Sequence, residues 1–221
     1  MLGFEVWYPS GPIPTDFGLG NVEGVANVRL AIAHPESGSG ERAQYRAQMP
    51  KLAVVAYPDL EADDRAWIES VRTLRDPQAR RLPAHVTLAF PTELATADAA
   101  RDVSSVAHRS QSITFTLRWA RAVRAASGAG GHVFLVPDEG FNQIAALHDD
   151  LYLGVFAPSR RADLPFVPHI TIGANPDFDA CESIAREMTP LTRLVHGRIS
   201  KVSLIELTGA AVETIEAFRL L

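Results

Sequence analysis

Two histidine–threonine pairs carry the residue types and spacing for acid–base chemistry. They lie in Ala84-His85-Val86-Thr87-Leu88-Ala89-Phe90 and in Pro168-His169-Ile170-Thr171-Ile172-Gly173. Strand side chains alternate between faces, so His85 and Thr87 point one way while Val86, Leu88 and Phe90 point the other. The same alternation separates His169 and Thr171 from Ile170 and Ile172. Each stretch therefore sets an imidazole beside a hydroxyl and anchors both from behind. With an unperturbed pKa of about 6.5, one imidazole can be neutral near pH 7 while the other is protonated. In-line displacement at phosphorus uses that combination: a base at the attacking oxygen and an acid at the leaving oxygen. Thr87 and Thr171 would donate hydrogen bonds to the non-bridging oxygens, where charge grows in the transition state. Such chemistry calls for no metal and no organic cofactor.

A bare His-x-Thr or His-x-Ser is a weak signal, and His108-Arg109-Ser110 is a third example. That one sits at a polar helix end and reads as a chance match with a solvated ring. The other two share apolar flanks, upstream prolines (Pro83 and Pro168) and equivalent places in a repeat. Leu52–Tyr57 reads as a buried strand closed by Pro58-Asp59. A helix follows with Leu60, Trp67, Val71 and Leu74 inward, stopping at Arg75-Asp76-Pro77. After the first motif come a helix from Thr96 (Ala99, Val103 and Val106 on one face) and a half-buried strand, Ile113–Trp119. Ser127–Gly131 is a glycine-rich hairpin loop.

The order then recurs. His132–Val136 is a strand closed by Pro137-Asp138, followed by a helix (Phe141, Ile144, Leu151), the second motif, and a helix over Ala180–Met188. Val202–Leu207 and Ile215–Leu220 close the chain. Pro58 to His85 spans 27 positions and Pro137 to His169 spans 32. The expected fold is α+β, a bilobed duplication of a strand-helix-strand-helix-strand unit with pseudo-two-fold symmetry. Its two motif strands would converge on a central cleft.

Composition sets the bounds. The 221 residues, 47% apolar, are enough for a sizeable core. A net charge of −5 argues against a dedicated, strongly basic nucleic-acid binder, although a local basic patch can still hold phosphate. One cysteine, Cys181, forms no internal disulfide, and no long apolar or leader-like run stands out, so a cytoplasmic monomer without membrane contact is expected. Residues 1–48 hold seven of the 15 glycines and are expected to be a poorly ordered extension or a misassigned start, with 49–221 as the working domain.

The paired motifs, Phe166-Val167-Pro168-His169-Ile170-Thr171-Ile172-Gly173 and Pro83-Ala84-His85-Val86-Thr87-Leu88, resemble those of the two-histidine (2H) phosphoesterase superfamily. The likeness is to its 2′-5′ RNA ligase-like and cyclic phosphodiesterase branch, over about Met49 to Leu221. The resemblance implies a metal-independent phosphodiesterase that opens 2′,3′-cyclic phosphates or cleaves or forms 2′-5′ linkages, on an RNA terminus or a small cyclic nucleotide. It implies catalytic roles for His85 and His169 and phosphate-binding roles for Thr87 and Thr171. The residues leave open which ring is acid and which is base.

The competing reading is a module that grips an RNA end or nucleotide in the same cleft without turnover. Further candidate substrate contacts are Tyr57, His132 and Phe134 facing the cleft, with core packing the alternative for Tyr57 and the favoured role for Phe134, and Arg160-Arg161 for a polynucleotide tail. Arg80-Arg81, Arg109, Arg118, Arg121 and Arg124 read equally as a basic rim or as solvated faces. His148-Asp149-Asp150 reads as a helix surface rather than a metal site, and Gly128–Gly131 lacks the Lys-Ser/Thr of a phosphate loop.

Overall fold

Alternating apolar residues build the strands, and they sort into two faces as period 2 requires. The computed structural model describes residues 49–221 except 126–127, 162–164, 190 and 210. Residues 1–48, the expectation placed on them, and Ser127 of the hairpin loop lie outside the described residues. The elements run β1 (Lys51–Ala56), β2 (Asp59–Leu60), α1 (Ala62–Arg75), β3 (Val86–Glu93), α2 (Thr96–Ala107), β4 (Ile113–Arg124) and β5 (Gly131–Glu139). They continue with α3 (Phe141–Leu151), β6 (Ile170–Asn175), α4 (Phe178–Glu187), β7 (Val195–Ile199), β8 (Lys201–Thr208) and β9 (Ala211–Arg219).

Two antiparallel sheets result, ordered β3-β1-β8-β9 and β2-β7-β4-β5-β6. This is the duplicated α+β architecture expected from the repeat, with β4 and β5 as the hairpin. The motif strands are not central. β3 ends the first sheet and β6 ends the second, each with one strand neighbour. Leu52, Val54, Val86, Leu88, Val133, Leu135, Ile170 and Ile172 enter the main core beneath the helices. Their alternates form two small clusters on the other face, Ala53, Val55, Leu82 and Ile205 in one lobe and Val123, Phe134 and Val136 in the other.

The helices are exchanged between the halves. α1, from the first half, packs on β6; α3, from the second, packs on β3. Each motif strand is thus backed by the other half's helix, which brings the two motifs toward one another. At the start of α3, Gly140 adopts φ 82°, a left-handed conformation that L side chains rarely take. A Cβ there would stand 2.5 Å from the Thr114 carbonyl oxygen.

Helix α1 departs from the expected pattern. Its buried line is Asp64, Ile68 and Arg72, while Leu74 is 83% exposed and Trp67 and Val71 are only half-buried. Leu60 falls in β2. Acidic Asp63 and Asp64 in the first turn and basic Arg72 and Arg75 in the last complement the helix dipole. Asp76 caps the end, its N–H donating to Arg72 O at 2.7 Å, and Pro77 follows. Among the described residues, no helix is long and apolar enough to cross a membrane.

Candidate active site

His85 and His169 each sit one residue ahead of a motif strand, and the backbone holds both in the same way. His85 Nδ1 lies 2.8 Å from Pro83 O, and His169 Nδ1 lies 2.7 Å from Val167 O. A carbonyl oxygen only accepts, so Nδ1 carries the hydrogen in each ring. In the neutral form Nε2 then holds the lone pair, on the side away from that anchor. Thr87 and Thr171, half-buried, follow two residues on, beside Val55 and Phe134 of the neighbouring strands. The two His-x-Thr pairs are therefore two copies of one local geometry.

The rings are close enough for a charge on His85 or His132 to reduce the proton affinity of His169. Burial is the larger cause, and it pushes the His169 pKa down to about 4, against the Val167 hydrogen bond, which raises it. Burial also lowers His85; the Pro83 bond raises it, Arg72 lowers it, and Asp76 and Glu69 raise it. His132 is lowered by burial and raised by Asp76.

Aligning Pro58 with Pro137 matches Ala53, Val55 and Tyr57 to His132, Phe134 and Val136, the residues flanking the two motifs. Tyr57 meets the His85 ring edge-on, with centroids 6.3 Å apart. Phe134 stacks on His169 at 3.6 Å, and His132 stacks beyond it at 5.9 Å. At 1% exposure Phe134 offers its face to His169 and none to a ligand, so of its two readings, core packing and base stacking, it takes the packing role. Half-buried His132 and Tyr57 remain at the edge of the site.

Arg160 and Arg161 are exposed, and Arg160 pairs with Asp149 of α3 at 2.6 Å. Arg81 donates to Gly209 O, Arg109 to Ser105, and Arg118 to Asp138; Arg124 lies over the Phe178 ring at 3.9 Å. Four of the rim arginines are thus engaged by protein partners. His108 is exposed at the end of α2, as expected.

His148 is not on a helix surface. It is 5% exposed, holds Leu88 O of β3 through Nδ1 at 2.7 Å, and stacks on Phe166 at 3.8 Å. One turn on, Tyr152 Oη accepts the Phe90 N–H at 3.0 Å. Helix α3 thereby ties the first motif strand to the segment entering the second. Among the described residues no three His, Cys, Asp or Glu side chains group as metal ligands.

The sequence reading passed over Glu69, Arg72 and Asp76. They fall at i, i+3 and i+7, one stripe of a helix. Arg72, 1% exposed, donates to Asp76 Oδ2 from Nη2 at 2.9 Å and to Glu69 Oε2 from Nη1 at 3.0 Å. Glu69 Oε1 accepts the Ala84 N–H at 2.6 Å, and Asp76 Oδ1 accepts the Gln78 N–H at 2.9 Å. The set braces the segment leading into His85.

Burying His169 in its neutral form links stability to pH. Its folded pKa, about 4, lies below the unfolded value of 6.5, so its contribution is full above 6.5 and is lost as pH falls toward 4. The loss should reach about 3 kcal/mol. Urea unfolding at pH 7 and pH 4 should show a smaller acid loss in His169→Asn than in the parent. Equal losses would mean that the ring titrates normally.

Among curated proteins, none matches the sequence. Escherichia coli LigT complexed with 3′-AMP is similar in structure, with a TM-score of 0.50 and 19% identity, over 78% of this chain and 99% of that one. TT0787 of Thermus thermophilus gives 0.52 and 18%, over 77% and 97%. These likenesses bear on the fold. The family profile of the 2′-5′ RNA ligase superfamily matches residues 58–211, a span holding both motifs and most of both lobes. The chain belongs to the 2′-5′ RNA ligase superfamily, the two-histidine phosphoesterases that its paired motifs resemble.

Proposed function

We propose that this protein is a metal-independent phosphodiesterase whose two histidines act as acid and base on one phosphorus. Its substrate is a 2′,3′-cyclic phosphate or a 2′-5′ linkage, at an RNA end or in a small nucleotide. The observation that carries this reading is the repeated anchor: both Nδ1 atoms are tied to backbone, which leaves both Nε2 atoms for chemistry. Membership of the superfamily supports phosphodiester chemistry in general, and LigT holding 3′-AMP supports a nucleotide as ligand. In this reading His85 and His169 are catalytic, and Thr87 and Thr171 bind the non-bridging oxygens. Tyr57 and His132 border the substrate. Ring opening run backwards is ligation, so one site serves either direction.

Incubation with a 2′,3′-cyclic nucleotide, with and without chelator, tests the proposal. Product formation that persists in chelator supports it. Tight binding without product would replace it with a nucleotide-binding module.

The pH dependence is a second test. Activity needs one ring neutral and the other protonated, and burial lowers both proton affinities. The kcat/KM profile should be bell-shaped, with its maximum between about pH 4 and pH 6.5. A bound phosphate diester is anionic and raises both affinities, so the kcat profile should lie at higher pH than kcat/KM. A profile flat from pH 5 to 9 would count against paired imidazole catalysis.

A further inference from the structure

The two histidine anchors look alike but differ in what stands behind them. Pro83 C=O, which accepts from His85, and Ala84 N–H, which donates to Glu69, belong to one planar peptide unit. A carboxylate drawing on the N–H of an amide increases the negative charge on its carbonyl oxygen. Glu69 Oε1, the Pro83–Ala84 peptide and His85 Nδ1 thus form a continuous chain of two short hydrogen bonds, 2.6 and 2.8 Å. In the second half the corresponding unit is Val167–Pro168. Proline has no N–H, so no carboxylate can act on His169 through that route. One residue, Ala84 against Pro168, breaks the pseudo-symmetry where it matters for chemistry.

We propose that Glu69 is a positioning residue that acts on His85 through the Pro83–Ala84 peptide. His85 is therefore the ring that delivers a proton to the leaving oxygen, and His169 the ring that takes one from the attacking oxygen. The assignment rests on the phosphodiesterase reading for its chemistry. In hydrolysis, a water proton passes to His169 Nε2 as the water oxygen bonds to phosphorus. The phosphorus–ribose oxygen bond breaks, and that oxygen receives the proton from His85 Nε2. The rings end with their protons exchanged and reset through solvent.

The surroundings agree with this polarity. His85 is faced by Glu69 and Arg72 from α1, by Asp76, which caps that helix, by Tyr57 just after β1, and by His169. Two carboxylates, Asp76 and then Glu69, favour its cation; Arg72, which acts on the ring more strongly than either one, opposes it and is shared between them. His169 is faced by Phe134 and by two other imidazoles, His85 and His132, which disfavour its cation. Among the described residues no carboxylate acts on it.

Imidazole NMR titration of the whole protein tests the ordering without any variant: His85 should take up its proton at higher pH than His169. In Glu69→Gln, which keeps an acceptor for the Ala84 N–H, the His85 midpoint should fall while His169 stays. The upper limb of the kcat/KM profile should move to lower pH with it. A merely structural Glu69 would change stability and leave both midpoints in place. The reverse order in the parent, or an unmoved His85 in a folded and active Glu69→Gln protein, would overturn the proposal. Titrations as expected in a protein inactive on every cyclic phosphate would instead overturn the phosphodiesterase reading and the leaving-group role with it, while the Glu69–His85 coupling would stand.

Discussion

His85→Asn and His169→Asn should each lower kcat/KM on a 2′,3′-cyclic nucleotide by about 10²- to 10⁴-fold, the usual worth of a positioned proton-transfer group. Asparagine is the informative replacement because its amide can still donate toward Pro83 O or Val167 O, so the anchor is kept and Nε2 is lost. Alanine at 169 would also strip the stacking partner from Phe134 and confound chemistry with packing. If both rings act in one concerted displacement, the double variant should lose little more than the worse single one. Losses that multiply would point to separate steps. Thr87→Val and Thr171→Val remove a hydroxyl but keep the shape, and should cost at most about 10²- to 10³-fold, mainly in kcat. Steady-state kinetics with far-UV circular dichroism checks all of these. Full activity in either histidine variant would end the acid–base reading.

How far this site was legible in the sequence depends on which physical rule set each residue. The motif histidines and threonines could be found because period 2 forces their faces once Val86, Leu88, Ile170 and Ile172 are buried. The duplication was legible because the two Pro-Asp pairs and the two motifs recur in order, although β5 runs on through Pro137-Asp138 to Glu139 rather than closing there. The exchange of α1 and α3 between halves was not. Helical periodicity says which face is buried but not which strand receives it. Strand β7, Val-His-Gly-Arg-Ile, has too few apolar positions to show alternation, and β2 is two residues long. His148 was read as solvent-facing by its polarity and Arg72 drew no reading, yet each is buried because specific partners satisfy it. Partners distant in the chain, such as Leu88 for His148, leave no trace in local spacing.

Arg72 should be the most sensitive buried polar position away from the rings. Arg72→Met is expected to destabilise the fold by about 3–5 kcal/mol, because it leaves buried Asp76 and its neighbour Glu69 without a counter-charge. For a domain of this length that corresponds to a fall in Tm on the order of 10 °C. The cause can be separated from lost packing. If uncompensated charge is responsible, adding Asp76→Asn and Glu69→Gln to Arg72→Met should recover most of the loss, since neutralising a whole buried set is often neutral or stabilising. A shortfall confined to packing would persist in the triple variant, and a loss under about 1 kcal/mol in the single one would mean that water reaches the site. The recovered triple variant is also the sharper functional probe. It would fold as the parent does, yet His85 would have lost the carboxylate behind its anchoring peptide. Loss of the two carboxylates lowers the His85 proton affinity and loss of Arg72 raises it, so the kcat/KM profile should keep the limb set by His169 while the limb set by His85 moves by the net of the three charges. Stability restored without the parent's pH profile would show that this charge set serves the reacting proton rather than the fold.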